Sequence, residues 1–161
     1  NELANTLGVS KTAIDHYLRI LQKSYHITLI KPFFRNIRKE LTKMPKIFFR
    51  DIGLRNFFAN NFQKIILRQD KGALFENLIF RQFIERFPSD KINFWRTPQG
   101  HEVDFVLQGK WAFEVKWDAS AIRLKKYKPW GKMYPEIPLH FMVFSKGEGN
   151  GEYPLWEPWE I

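Results

Sequence analysis

Hydrophobic and polar residues alternate along residues 102–107 and again along residues 111–117. A period of two residues is typical of β-strands that bury one face. The loop between them, Gln-Gly-Lys, contains the glycine that a tight turn requires. The pattern predicts a β-hairpin. Its apolar face combines Val103, Phe105 and Leu107 with Trp111, Phe113 and Val115.

The length of this loop determines which residues of the hairpin oppose each other. A three-residue loop at 108–110 keeps the apolar side chains together, whereas a two-residue loop would move Asp104 onto the apolar face. The three-residue loop places Asp104 opposite Glu114, and Glu102 opposite Lys116. The sequence therefore predicts two opposed carboxylates and a neighbouring lysine on one face.

Residues 72–87 have apolar residues at helical spacing, with one carboxylate among them. Phe80 and Phe83 follow Glu76 by one and two helical turns, so Glu76 lies near the middle of the apolar stripe. A buried carboxylate is costly unless it is paired or binds a ligand. Alternatively, an acid near the start of a helix is stabilised by the helix dipole. We also predict strands at 92–96 and 139–144 and a helix near 119–133.

Opposed carboxylates need a partner, because like charges facing each other destabilise a sheet. Oxygen ligands in a chain without cysteine favour Mg²⁺ or Mn²⁺ over zinc. Lys116 could hold an anion or polarise a water molecule beside such a metal. The alternative is a solvated hairpin face with an ion pair between Glu102 and Lys116.

The predicted order of elements resembles the αβββαβ core of PD-(D/E)xK nucleases. The strings GALFENLIF, FWRTPQGHEVDFVL and FEVK, with IFFRDIGLRNFF ahead of them, resemble the C-terminal region of prokaryotic AAA+ ATPases. There, a winged helix precedes a nuclease-like domain. The resemblance implies that Asp104 and Glu114 are metal ligands, that Lys116 is the catalytic lysine and that Glu76 is the acid of the first helix. It implies an α/β (α+β overall) fold with a mixed central sheet.

The N-terminal residues have the pattern of a helix-turn-helix. Leu3 and Leu7 mark a short helix, Gly8-Val9 forms the turn, and Ser10 is a good N-cap for a second helix that begins at Lys11. Extended stretches at 27–30 and 46–49 would complete a winged helix. In such a module the second helix would read DNA. The candidate DNA-binding residues are Lys11, Thr12, His16, Arg19, Arg35, Arg38 and Lys39.

Three segments are predicted: a winged helix over residues 1–52, a helical connector over 53–70 and a nuclease-like domain over 71–161. The positive charge is concentrated in the first part of the chain. Residues 1–70 contain 13 basic and 5 acidic residues, and residues 71–161 contain 13 and 12. A basic N-terminal part favours DNA as a partner, although it could also dock on an acidic protein domain.

Other features limit the class of protein. No apolar run reaches about 18 residues and no signal-peptide pattern opens the chain, so we expect a cytoplasmic protein without a membrane partner. The sequence begins without methionine and contains no phosphate-binding loop, so we expect a fragment whose ATPase domain lies upstream. An oligomer is compatible with the sequence.

Three functions are compatible with the sequence. The chain could be a metal-dependent DNA endonuclease that uses the residues named above with Mg²⁺ or Mn²⁺. It could be a catalytically inactive DNA-binding or regulatory module of the same ATPase. It could also be an adapter whose basic surface docks on its own ATPase domain. The sequence does not decide whether the chain is an enzyme.

Overall fold

The structure, a computed structural model, describes residues 2–34, 44–145 and 155–156. Within these ranges the chain forms five α-helices and seven β-strands. In chain order they are α1 (Glu2–Leu7), α2 (Lys11–Lys23), β1 (Ile27–Pro32), β2 (Lys46–Phe49), α3 (Ile52–Phe58), α4 (Lys71–Arg86), β3 (Ile92–Arg96), β4 (Glu102–Leu107), β5 (Trp111–Asp118), α5 (Lys128–Met133), β6 (Leu139–Ser145) and β7 (Leu155–Trp156). None of these helices has both the length and the apolar character needed to cross a bilayer.

The described strands form one sheet in the order β2-β1-β3-β4-β5-β6-β7. Pairing is antiparallel between β1 and β2, between β3 and β4 and between β4 and β5. It is parallel between β1 and β3, between β5 and β6 and between β6 and β7. The fold is therefore a mixed α+β architecture around a mixed sheet, which confirms the predicted class at this level.

Helices cover the two faces of the sheet. On one face α4 packs Phe75, Phe80 and Phe83 against the sheet, where they form a core with Phe105 and Phe113. The opposite face has a second core, formed by Trp95, Val103, Val106 and Ala112 of the sheet and by Trp130, Tyr134 and Ile137 in and after α5. Burial of both faces explains why the central strands are rich in large apolar residues.

The hairpin of β4 and β5 has the predicted register near its turn. Leu107 pairs with Trp111 and Phe105 with Phe113, as the three-residue loop requires. The loop uses positive φ angles of 53° at Gln108 and 65° at Gly109, where glycine is favoured. The turn chemistry thus set the register that the sequence predicted.

Val103 lies on the opposite face of the sheet from the one predicted, so this part of the prediction is wrong. Two steps along β3, from Asn93 to Trp95, correspond to three steps along β4, from Val106 to Val103. This irregularity is a β-bulge, and it reverses the alternation in the first half of β4. Val103 therefore packs in the second core, although Phe105 and Leu107 pack against α4 as predicted.

The segment between β5 and β6 also differs from the prediction of one helix near 119–133. It contains two 3₁₀ turns, Ala119–Ala121 and Leu124–Tyr127, before the short helix α5. Pro129 lies in the first turn of α5, where its missing N–H costs no helical hydrogen bond. The same proline would disrupt the interior of a longer helix.

The helices and extended stretches predicted within residues 1–52 are present, and Ser10 caps α2 by accepting the N–H of Ala13 at 3.1 Å. However, β1 also pairs with β3, and Phe48 of β2 packs in the core beneath α4. The β1–β2 hairpin therefore shares a sheet and a core with the C-terminal part of the chain. The boundaries after residues 52 and 70 stay predictions.

Candidate functional site

A cleft of about 720 Å³ opens where α4 and β2 approach the first half of β4 and the second half of β5. Its charged lining residues come from both halves of the chain. The acidic ones are Glu76, Glu102, Asp104 and Glu114, and the basic ones are Lys46, Arg55, Arg96, Lys116 and Lys126. The cleft thus combines a carboxylate cluster with a set of cationic side chains.

The ammonium group of Lys46 lies among three carboxylates. Its Nζ atom is 3.0 Å from Glu76 Oε1 and 3.5 Å from Asp104 Oδ1, and it also forms an ion pair with Glu102. Only 18% of the Lys46 side chain is exposed. Lys46 is therefore a nearly enclosed counter-ion for charges that would otherwise repel one another.

Asn77 of α4 fixes the strand that carries Lys46. Its side chain accepts the N–H of Phe49 at 3.0 Å and donates to the carbonyl of the same residue at 2.8 Å. Phe48, the preceding residue, stacks on Phe80 with the ring centroids 4.6 Å apart. These contacts attach two consecutive residues of β2 to α4, so the position of the Lys46 backbone is well defined.

We predict that Asn77→Ala lowers the free energy of unfolding by about 1–3 kcal/mol, because it removes both hydrogen bonds from a buried position. Urea denaturation followed by circular dichroism measures this loss. The control is Asn5→Ala on the exposed side of α1, which we expect to change stability by less than about 0.5 kcal/mol. Equal stabilities for the two variants would contradict the anchoring role of Asn77.

Asp104 links the bulged part of β4 to β5. Its Oδ2 atom accepts the main-chain N–H of Val115 at 2.9 Å. The strand pairing given above runs only to Phe105 and Phe113, so Asp104 does not continue the ladder opposite Glu114 as the sequence predicted. The bulge explains the difference, because it turns the Asp104 side chain toward β5.

Glu102 also has other partners than predicted. Its carboxylate accepts from Arg96 Nε at 3.0 Å and from Arg96 Nη2 at 2.7 Å, in addition to its ion pair with Lys46. Lys116, the predicted partner, instead contacts Glu114 Oε1 and donates to the carbonyl of Val115. The predicted pair of Glu102 and Lys116 is therefore wrong.

Glu114 is the most deeply buried acid of the cleft, with 2% of its side chain exposed. Its Oε1 atom accepts a hydrogen bond from the Tyr127 hydroxyl at 2.8 Å and contacts Lys116 Nζ. Its Oε2 atom is buried and has no hydrogen-bond partner among the described residues. Burial, assisted by the charge of Asp104, raises the pKa of Glu114 to about 7 despite these two partners.

The remaining charges of the cluster influence one another. Burial and the Asp104 charge raise the pKa of Glu76, although Lys46 opposes them. Burial alone would raise the pKa of Glu102, but Lys46 and Arg96 bring it below its ordinary value. Burial lowers the pKa of Lys46, but the charges of the three carboxylates outweigh this effect and leave the pKa above its ordinary value. The Lys46 ammonium therefore stays charged at neutral pH.

The four residues implied by the resemblance, Asp104, Glu114, Lys116 and Glu76, all line this cleft. Sequence reasoning missed the role of Lys46 and the placement of Glu102 beside it. It also missed Tyr127, whose hydroxyl is the buried donor to Glu114. The basic and aromatic character of the stretch around Lys46 was visible, but no local spacing connects it with acids 30 and 58 residues away.

The candidate DNA-binding residues divide into two groups. Lys11, Thr12, His16 and Arg19 are exposed on α2. Arg35, Arg38 and Lys39 lie outside the residues that the structure describes. The inward side of α2, with Ile14, Leu18 and Leu21, is only half-buried.

The donors in the cleft suit a hard cation more than a soft one, because the acids supply only oxygen atoms. The unpartnered Oε2 of Glu114 is compatible with such an ion. Over residues 2–34, 44–145 and 155–156, however, no group of three or more His, Cys, Asp or Glu side chains has an arrangement that could itself hold a metal ion. A bound Mg²⁺ here would use few protein ligands and complete its shell with water or phosphate.

Comparison with models of known protein families identifies the family of this chain. Residues 71–153 match a domain of unknown function (DUF4143), and residues 1–64 match a second domain of unknown function (DUF8612). Because the first match covers more than half of the chain, the protein belongs to the DUF4143 family. This domain is found in proteins associated with AAA ATPases.

Two uncharacterized proteins, one from Mycobacterium tuberculosis and one from Mycobacterium bovis, are each 31% identical to the chain over 120 residues. The similarity covers 71% of the chain but only 27% of either relative, so the relatives are much longer. No solved structure matches the chain significantly.

Proposed function

We propose that this chain is a nuclease-like module of an AAA ATPase-associated protein and that its cleft hydrolyses phosphodiester bonds of DNA with Mg²⁺ or Mn²⁺. The observation that carries the proposal is the convergence of Asp104, Glu114 and Lys116 from adjacent strands, with Glu76 from α4, in one charged cleft. The order α4-β3-β4-β5-α5-β6 also agrees with an αβββαβ nuclease core.

Asp104 and Glu114 would hold the cation. Mg²⁺ commonly binds through one or two carboxylates together with substrate phosphates and waters, which fits a site with few protein ligands. The cation would supply Lewis acidity toward a phosphoryl oxygen and lower the pKa of a bound water. Neither role requires a protein group of three or more acids around the ion.

Several side chains of the cleft have defined tasks in this proposal. Lys116, held beside Glu114, would bind the attacking water or a phosphate oxygen through its ammonium N–H groups. Tyr127 fixes the orientation of the Glu114 carboxylate by its hydrogen bond to Oε1. Arg96 and Lys126, at the more exposed part of the cleft, would attract the DNA backbone.

The exposed basic residues of α2 would add DNA affinity outside the cleft. Net charge in the C-terminal part is small, so the phosphate contacts would be shared between the cleft and α2. In this arrangement α2 positions the DNA and the cleft performs the chemistry. The winged-helix description of residues 1–52 belongs to this proposal.

A second candidate function is a DNA-binding or regulatory module without catalysis. The observation that favours it is the Lys46 ammonium, which already forms ion pairs with Glu76, Glu102 and Asp104. Because these ion pairs already reduce the repulsion among the three carboxylates, the cluster can persist without a metal. This candidate predicts DNA binding that is sensitive to salt but unaffected by chelation.

The test compares the wild-type chain with Asp104→Asn. Mg²⁺ and Mn²⁺ binding is measured by calorimetry, and the same samples are incubated with supercoiled and branched DNA. We expect the wild type to bind the cation and nick DNA, and the variant to lose nicking by on the order of 100-fold or more. Asparagine retains an acceptor for the Val115 N–H, so the fold should persist.

The matched control is Asp90→Asn, which removes an exposed carboxylate before β3, away from the lining of the cleft. It should bind cations and nick DNA like the wild type. Nicking that survives in Asp104→Asn would overturn the proposed site. DNA binding without cation binding or nicking in the wild type would support the second candidate.

A further inference from the structure

The position of Lys46 raises a problem for metal binding. Its ammonium lies 3.5 Å from Asp104 Oδ1, one of the two carboxylates that would hold the cation. A divalent ion at Asp104 would meet a positive charge at close range in a partly enclosed cleft, where electrostatic repulsion is strong. The ammonium and the metal ion therefore compete for the same carboxylate.

The strand that carries Lys46 is not free to withdraw. Asn77 holds both main-chain groups of Phe49, and Phe48 lies between Phe80 and Phe105. The lysine side chain, in contrast, is a flexible four-carbon stem with one end at the surface of the cleft. Lys46 can therefore release the carboxylates by moving only its side chain, while β2 stays in place.

An ammonium that leaves three carboxylates needs another anion. A phosphate of bound DNA supplies one, because the cleft is open to solvent and carries Arg96 and Lys126 in its lining. As the phosphate enters, Lys46 can exchange its carboxylate partners for phosphate oxygens. Asp104 then becomes available to the cation.

We propose that Lys46 is a phosphate-binding residue that occupies the carboxylate cluster until DNA arrives, and that it thereby couples metal loading to substrate binding. The inference rests on the proposed nuclease function and adds a mode of regulation to it. By linkage, DNA must strengthen Mg²⁺ binding and Mg²⁺ must strengthen DNA binding by the same factor. Without DNA the ammonium stays on the carboxylates and the cation binds weakly.

The experiment measures Mg²⁺ affinity by calorimetry for the wild type and for Lys46→Met, each with and without a short phosphorothioate DNA duplex that resists hydrolysis. We expect DNA to tighten Mg²⁺ binding to the wild type by about tenfold. Lys46→Met should bind Mg²⁺ about tenfold more tightly than the wild type when DNA is absent. In Lys46→Met, DNA should increase the Mg²⁺ affinity much less than it does in the wild type.

Two further variants distinguish the effect of losing the Lys46 charge from the effect of losing the folded structure. Lys132→Met removes an exposed positive charge on α5 and should behave like the wild type. Lys46→Gln removes the charge but keeps an N–H donor for the carboxylates. It replaces Lys46→Met in the Mg²⁺ titration if Lys46→Met fails to fold. Urea denaturation of each protein identifies a variant that has lost its structure.

The outcomes distinguish the two proposals. Equal Mg²⁺ affinity of the wild type and the folded Lys46 variants without DNA would overturn the coupling role of Lys46, while the nicking test with Asp104→Asn would still decide the nuclease proposal. Failure of every protein to bind Mg²⁺, with or without DNA, would overturn both. Tighter binding in Lys46→Met but not in Lys132→Met supports the coupling.

Discussion

Exchange of Phe83 for alanine is expected to lower the free energy of unfolding by about 3–5 kcal/mol, a loss typical of buried phenylalanines. Phe83 is fully buried, and its ring lies 5.3 Å from the rings of both Phe105 and Phe113, measured between centroids. It therefore connects α4 with the two strands of the hairpin. A cavity at this position would remove contacts on three elements at once.

Urea denaturation at several protein concentrations measures the effect. The matched control is Phe62→Ala, because Phe62 is 70% exposed and should change stability by less than about 0.5 kcal/mol. A loss below about 1 kcal/mol in Phe83→Ala would mean that the core beneath α4 can collapse around the missing ring.

Much of the local structure followed from sequence patterns. The register near Gly109 was predictable because the loop length and the alternation of apolar residues restrict the pairing to one solution. The inward face of α4 was predictable because Phe80 and Phe83 share one stripe at helical spacing. In both cases the interacting residues are close in sequence, and one local rule decides the outcome.

The bulge in β4 was not predictable in this way. Val103 has the same apolar character as Phe105, so the alternation gives no sign that their side chains leave on opposite faces. Only the pairing with β3 reveals the extra residue. This bulge changes the charged partners in the cleft. It separates Glu102 from Lys116, and Glu102 pairs with Lys46 instead.

The environment of Lys46 depends on contacts between distant parts of the chain. β1 lies beside β3 through a parallel pairing that joins Lys31 with Asn93. Parallel neighbours need a crossover connection, and no short-range signal marks which strand becomes the partner. The strands of the N-terminal hairpin could therefore be predicted, whereas their place at the edge of the mixed sheet could not.

Glu114→Gln should affect function and stability in opposite directions. Under the nuclease proposal, the variant loses a carboxylate ligand, and DNA nicking should fall by on the order of 100-fold or more. At alkaline pH the variant should be more stable than the wild type. The reason is that the pKa of Glu114 is raised from 4.5 to about 7 by burial and by the Asp104 charge, so the folded state disfavours the charged form.

The sign of the pH effect follows from this shift. Below pH 4.5 the carboxyl group is protonated in both states, and wild type and variant should have similar stability. Between pH 4.5 and about 7 the unfolded wild type is ionised while the folded state keeps the Glu114 proton, so the wild type loses stability over this window and levels off above it. Glutamine has no such loss. The variant should gain up to roughly 3 kcal/mol over the wild type at pH 8.

Urea midpoints at pH 4.5, 6 and 8 measure this difference, and Glu85→Gln is the matched control because Glu85 is an exposed acid on α4. The control should show no comparable change between these pH values. A Glu114→Gln variant that is less stable than the wild type at pH 8 would mean that the contacts of Glu114 with Lys116 and Tyr127 outweigh its burial. Greater stability with lost nicking would instead show that this buried carboxylate serves the chemistry of the cleft at the expense of the fold.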